Sequence, residues 1–163
     1  MTVESLRERL ESLTALDGVS GFEQDVVRAL REAFTPLADH VEVDPMGNLY
    51  ARREGRGAGP RLVLEAHSDE IGAIVKSVDA QGFLRFDPLG GVVPALLVGR
   101  RVRVRGHLGT IGVRSGHLQR PEEIEKVQPI GDLFIDVGAE SAEEVAAMGI
   151  AIGDPVAYDS PLL

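Results

Sequence analysis

Residues 61–79, RLVLEAHSDEIGAIVKSVD, contain the junction on which the reading of the fold turns. RLVLEAH at 61–67 is a mostly apolar run, which predicts a strand fit for the middle of a sheet. Ser68, Asp69 and Glu70 follow, and from Ile71 onward the texture changes. On the N-terminal side lie two helical patterns and a hairpin. On the C-terminal side lie short strands punctuated by glycine, the pattern of a small barrel or sandwich. The fold class is therefore α/β: a partial layered sheet domain up to about residue 70, then a small barrel or sandwich of short strands.

Leu6, Leu10, Leu13 and Leu16 recur at helical spacing and predict an amphipathic first helix. Gly18-Val19-Ser20-Gly21 breaks it. Ser20 and Glu23 have capping-box spacing for a second helix. That helix is expected to bury Val26, Val27, Leu30 and Phe34 and to stop before Pro36. HVEVD at 40–44 alternates like a strand, PMGN at 45–48 is a turn, and 49–53 reads as the returning strand. Beyond the junction the predicted strands lie in 71–79, 83–88, 98–106, 109–114, 133–138 and 150–159. One helix interrupts them at 142–148, with Ser141 and Glu144 as its capping box and Gly149 as its stop. Two helices and about three strands make only part of a layered sheet, and the strand at 61–67 calls for cover on both faces. More chain is expected to belong to the first domain.

Composition narrows the function classes. Asp plus Glu (26) exceeds Lys plus Arg (17), so the formal net charge is −9. Such a surface repels phosphate backbones and anionic lipid, which sets aside nucleic acid and membrane partners. Cysteine is absent, so any metal must be held by His, Asp or Glu. The charged stretch at 1–10 is no signal peptide, and no apolar run approaches the ~20 residues of a membrane span. A cytoplasmic protein is the expectation. With no Trp and aromatics at 4%, a polysaccharide cleft is disfavoured.

The chemistry is expected at Glu65-Ala66-His67-Ser68-Asp69-Glu70, beyond the carboxyl end of the central strand, where open α/β sheets bind ligands. His67 and Asp69 are two apart and share a side if the chain stays extended. A neutral imidazole suits Zn²⁺ or Co²⁺, and a carboxylate on its other nitrogen fixes the tautomer. The competing reading is a strand-end histidine beside solvated acids. His40 and His107 read as surface residues, and His117 as a loop histidine with a structural hydrogen bond. Arg101, Arg103 and Arg105 alternate with Val102 and Val104, the pattern of a strand with one charged face. Ser20 and Ser115 have no triad partner legible in the sequence. Gly90-Gly91 and the glycines of 55–59 lack the lysine of a phosphate loop.

Three strings together suggest a family: Gly18-Val19-Ser20-Gly21-Phe22-Glu23, Val43-Asp44-Pro45-Met46-Gly47-Asn48-Leu49, and Ala66-His67-Ser68-Asp69-Glu70-Ile71-Gly72. In order along the chain they resemble the opening of the tetrahedral and glutamyl aminopeptidases, metallopeptidase family forty-two, some of whose members are labelled endoglucanases. Gly82 to Phe86, Gly90-Gly91, His117-Leu118, Leu133 to Ala139 and Met148 to Val156 continue the likeness. The resemblance implies a catalytic α/β domain interrupted by a β-barrel used for dimerisation. Residues 1–70 would open the catalytic domain, 71–159 would be the insert, and 160–163 would begin the return. It implies two divalent ions, Zn or Co, and hydrolysis of the first peptide bond of short peptides. Dimers of such enzymes build larger hollow particles. His67 matches a metal-ligand histidine and Asp69 the acid that orients a ligand, a catalytic residue. Ser68 departs from the usual Met. The remaining ligands and the general-base Glu come later in family members, so this chain alone is expected to be inactive. The alternatives are a non-enzymatic dimerisation or binding barrel and an endoglucanase-type hydrolase.

Overall fold

The computed structural model describes residues 2–57, 59–114, 126–160 and 162. The chain divides into two compact units, Met1–Asp69 with Pro161–Leu163, and Glu70–Ser160.

In the first unit, α1 spans Val3–Thr14 and starts on a capping box. The Thr2 hydroxyl accepts from the Ser5 amide (3.2 Å) while the Thr2 amide donates to Ser5 Oγ (3.0 Å). Its leucine stripe is not buried: Leu6 and Leu10 are nearly half exposed. Helix α2 spans Gln24–Phe34, and Thr35 ends it one residue before Pro36. Of its four expected core positions only Val26 is buried, while Phe34 is 40% exposed. β1 (His40–Val43) and β2 (Leu49–Arg52) pair antiparallel, with His40 opposite Arg52 and Val43 opposite Leu49.

The turn between these strands is organised by one carboxylate. Asp44 Oδ1 accepts from the amides of Met46 and Asn48, each at 2.9 Å. Its Oδ2 accepts from the Asn48 side chain at 2.9 Å and from the Tyr50 hydroxyl at 3.3 Å. These bonds favour the ionised form, the Asn48 side chain most of all, and hold the carboxyl below its ordinary value against partial desolvation. A carboxyl depressed in the folded state stabilises above its unfolded value, about 4, and that contribution vanishes as pH falls through the lowered folded value. The Met46 and Asn48 amide resonances should therefore shift together on acidification, with a midpoint below that ordinary value. Asp44→Ala should abolish the transition and speed hydrogen exchange at both amides.

Residues 61–69 correct the sequence expectation. They form no strand, and Leu62, Val63 and Leu64 are 80–87% exposed. A strand is defined by a neighbour that takes its amides and carbonyls. Among the described residues of this unit the strands are the β1–β2 hairpin, whose two members pair with each other.

In the second unit six antiparallel strands close a barrel. They are β3 (Gly72–Val78), β4 (Leu84–Leu89), β5 (Arg101–Val104), β6 (His107–Gly112), β7 (Phe134–Asp136) and β8 (Pro155–Tyr158). Their order is β3-β4-β7-β6-β5-β8, with β8 returning to β3. Closure removes the open edges that make isolated sheets prone to pair with other chains. Period-two alternation fills the interior. Val102 and Val104 of β5 are fully buried between outward arginines, and Leu84 and Phe86 of β4 point in while Arg85 and Asp87 point out. In β3, Ala73 and Val75 point in. A bulge between Val75 and Ser77 then shifts the phase, so Val78 rather than Ser77 packs against the core.

The β5–β6 turn consists of Arg105 (φ 52°) and Gly106 (φ 81°), the pair of positive φ values that a two-residue type I′ hairpin requires. Helix α3, Ala142–Ala147, lies between β7 and β8 and buries Val145. Ser141 Oγ accepts from the Glu144 amide at 3.3 Å. The Glu144 carboxylate reaches back to the Glu140 amide (2.8 Å) rather than to that of Ser141, so the expected box is displaced by one residue.

Candidate functional site

His67 and Asp69 come together in the first unit. His67 Nδ1 lies 2.9 Å from the Asp69 carbonyl oxygen and 3.2 Å from Asp69 Oδ1. An ionised carboxylate and a carbonyl only accept, so Nδ1 carries the proton and donates. In the neutral ring Nε2 then keeps its lone pair, and the side chain is 85% exposed. The second Asp69 oxygen is occupied from elsewhere: Ser20 Oγ donates to Oδ2 at 2.5 Å, across 49 residues of sequence. The Asp69 carboxyl sits below its ordinary value. The Ser20 bond is the main cause, opposed by partial desolvation and helped by its own backbone amide and by His67.

The turn that delivers Ser20 is fixed by packing. Val19 is fully buried. A Cβ on Gly18 would stand 2.8 Å from Val26 Cγ2 and 3.5 Å from the Ser68 carbonyl, so the chain passes between α2 and the segment bearing His67 with room for no side chain. The Phe22 amide donates to the Val19 carbonyl at 2.7 Å, and Gly21 takes φ +88° between them. This geometry corrects the expected capping box of α2. Glu23 is the N-cap without a side-chain cap bond, and its carboxylate accepts instead from the Gly21 amide at 2.7 Å. Ser20, read as a cap, serves Asp69. No local spacing announces that bond; its only trace in the sequence is that Ser20 and Asp69 both fall within the quoted family strings.

The other candidates lie apart from this trio. His40 is exposed at the start of β1. His107 is half-buried rather than a surface residue, and its Nε2 lies 3.0 Å from the Met148 carbonyl, a bond that ties β6 to the end of α3. Arg101 and Arg103 share Asp159, at 2.8 and 2.7 Å, and Arg105 stands 3.8 Å from Asp154, so the charged face of β5 is a structural ion-pair array. Ser115 and His117 lie outside the described residues. A shallow groove of about 220 Å³ on the barrel is lined by Lys76, Arg85, Asp87 and Leu133, none of which belongs to the His67 site.

By donor chemistry His67 fits one position in a metal's coordination shell, with an open Nε2 and a carboxylate on Nδ1. Among the described residues no group of three or more His, Cys, Asp or Glu is placed to hold a metal ion. One imidazole therefore fits such an ion without completing its site.

The model of the M42 glutamyl aminopeptidases matches residues 47–163. The chain belongs to this family. The lysyl aminopeptidase of Pyrococcus furiosus is 35% identical over 152 residues, which cover 90% of this chain and 43% of that protein. The TET aminopeptidase of a marine-sediment Thaumarchaeota archaeon superposes with a TM-score of 0.89 at 37% identity, over 94% of this chain and 44% of its own. The Pyrococcus horikoshii TET1 peptidase, described as assembling into a tetrahedron or a large octahedral shell, gives 0.79 at 34% identity, over 93% of this chain and 46% of its own. The chain thus spans less than half the length of the relatives it matches. The likeness to the Pyrococcus furiosus enzyme extends upstream of Gly47, because that match covers nine-tenths of the chain. No helix among the described residues is long and apolar enough to cross a membrane.

Proposed function

We propose that this chain is the N-terminal part of a divalent-metal aminopeptidase that removes N-terminal residues from short peptides. His67 is a metal ligand in this reading, and Asp69 is the catalytic-site acid that orients it. The observation that carries the reading is the Nδ1–H of His67 donating to Asp69, which leaves Nε2 open, in a chain of the M42 family. Residues 1–70 open the catalytic domain, 71–159 form the inserted barrel, and 160–163 start the return.

The ions, two of Zn or Co, would polarise the scissile carbonyl and lower the pKa of a bound water when present. This chain's own part is to hold the imidazole in one tautomer and one orientation. With a single imidazole and its orienting acid, the chain alone is inactive. The barrel is the dimerisation element of a homo-oligomer, in keeping with the assembly described for the Pyrococcus horikoshii peptidase. A cytoplasmic location belongs to the same proposal. A second reading, a non-enzymatic binding or dimerisation module, is favoured by one feature: the barrel closes on its own buried core.

The test is the intact mass of the native protein, followed by assay. A mass well above 17.5 kDa is expected. It should accompany peptide hydrolysis that a chelator abolishes and that His67→Ala lowers by roughly a hundredfold in kcat/KM. A native mass of 17.5 kDa without hydrolysis would move the assignment to the binding module.

A further inference from the structure

We propose that Ser20 is a positioning residue of the His67 site, the outer member of a Ser20–Asp69–His67 relay that sets the imidazole tautomer. The proposal rests on the reading of His67 as a ligand, and it adds a residue that local sequence did not mark as functional.

The geometry divides the Asp69 carboxylate between two donors. Oδ2 takes the Ser20 hydroxyl at 2.5 Å and Oδ1 faces His67 Nδ1 at 3.2 Å. A short side chain with 39% exposure is otherwise free to turn about its Cβ–Cγ bond, which is a broad and roughly two-fold torsion. The hydroxyl removes that freedom. An oxygen pinned by a charge-assisted bond leaves its twin at a fixed place and lone-pair direction for the imidazole N–H. The Asp69 carbonyl also accepts from Nδ1, at 2.9 Å, and it directly follows the exposed residues 61–68. The hydroxyl instead comes from a turn whose neighbour Val19 is fully buried and whose Gly18 is wedged against Val26. Ser20 therefore ties an exposed histidine to the best-packed part of its unit. Residues acting in this way on ligand histidines affect metal affinity and activity without touching metal or substrate.

The experiment reads the His67 tautomer directly, by long-range ¹H–¹⁵N correlation of the imidazole nitrogens in the 163-residue chain at neutral pH, free of metal and peptide. His67→Gln assigns the signals among the four histidines. His67 is expected chiefly as the Nδ1–H form. Ser20→Ala should lower the ratio of Nδ1–H to Nε2–H by roughly threefold or more, and Ser20→Thr, which keeps the hydroxyl, should restore it. Should Ser20→Ala not fold, Ser20→Cys decides, being of similar shape with only a weak S–H donor. An unchanged tautomer ratio in the folded Ala or Cys variant overturns the proposal, and so does a wild-type His67 in the Nε2–H form. Neither readout depends on hydrolysis, so a failed peptidase assay and a failed relay are separate results.

Discussion

Ile135→Ala should lower the stability of the barrel unit by about 2–5 kcal/mol, the range for removing a fully buried isoleucine side chain whose surroundings relax only in part. Ile135 is completely buried and sits in the shortest strand of the barrel. Its strand β7 has three residues, and β7 joins β4 through the single register pair Leu84–Ile135. On its other side Ile135 faces Ile111 of β6. Leu84, Ile135 and Ile111 thus form one layer of large aliphatic side chains across three adjacent strands, all at most 1% exposed. Truncating the middle one leaves a cavity flanked by strands that the main-chain ladder cannot bring together, because closure fixes their spacing. Urea unfolding followed by circular dichroism should show the midpoint falling with little change in slope. Ile135→Val should cost about 0.5–1.5 kcal/mol. A cost below about 1 kcal/mol for the alanine variant would mean that β7 is not the seam described.

The barrel was the part most legible in the sequence, and the reason is local. Val102 and Val104 between arginines, or Leu84 and Phe86 alternating with Arg85 and Asp87, state an inside and an outside within a few residues. Closure buries the inside whatever lies elsewhere in the chain. The apolar run at 61–67 states a preference of the same kind, yet Leu62, Val63 and Leu64 stand in solvent. A central strand is a property of its neighbours, and the described residues set none beside it. The candidate site divides along the same line. His67 and Asp69 lie two residues apart, so their pairing could be read from spacing. Ser20 matched a capping box with Glu23, and a carboxylate 49 residues away took its hydroxyl instead. Spacing sees bonds within a turn of helix; it has no access to a partner that packing brings in. The family strings spanned that distance because they run in order through all three residues, but they assigned no role to Ser20.

Gly82→Ala should destabilise the same unit by about 2–5 kcal/mol, adding the strain of a left-handed alanine to an overpacking clash. Gly82 has φ +83° and closes the β3–β4 turn, its amide donating to the Asp79 carbonyl at 3.0 Å. Asp79 Oδ1 in turn accepts from the Gln81 and Phe83 amides, so the turn has little freedom to open. A Cβ on residue 82 would stand 2.7 Å from the Ala139 carbonyl oxygen, 3.0 Å from its carbon and 3.1 Å from the Ser141 amide nitrogen. These are backbone atoms and cannot swing aside as a side chain could. They also lead into α3, where Ser141 caps the helix and Val145 is buried, so a displaced 139–141 segment loosens a core contact as well. Gly99 supplies the control. It has φ +79° in the same unit, and a Cβ there meets nothing within 4 Å. Gly99→Ala carries only the conformational strain, about 1–3 kcal/mol, so the difference between the two unfolding free energies isolates the clash. Equal losses would mean that the 139–141 segment yields without cost and that glycine at 82 is required by its φ alone. A larger loss at 82 would mean that the β3–β4 turn and the start of α3 are locked backbone to backbone.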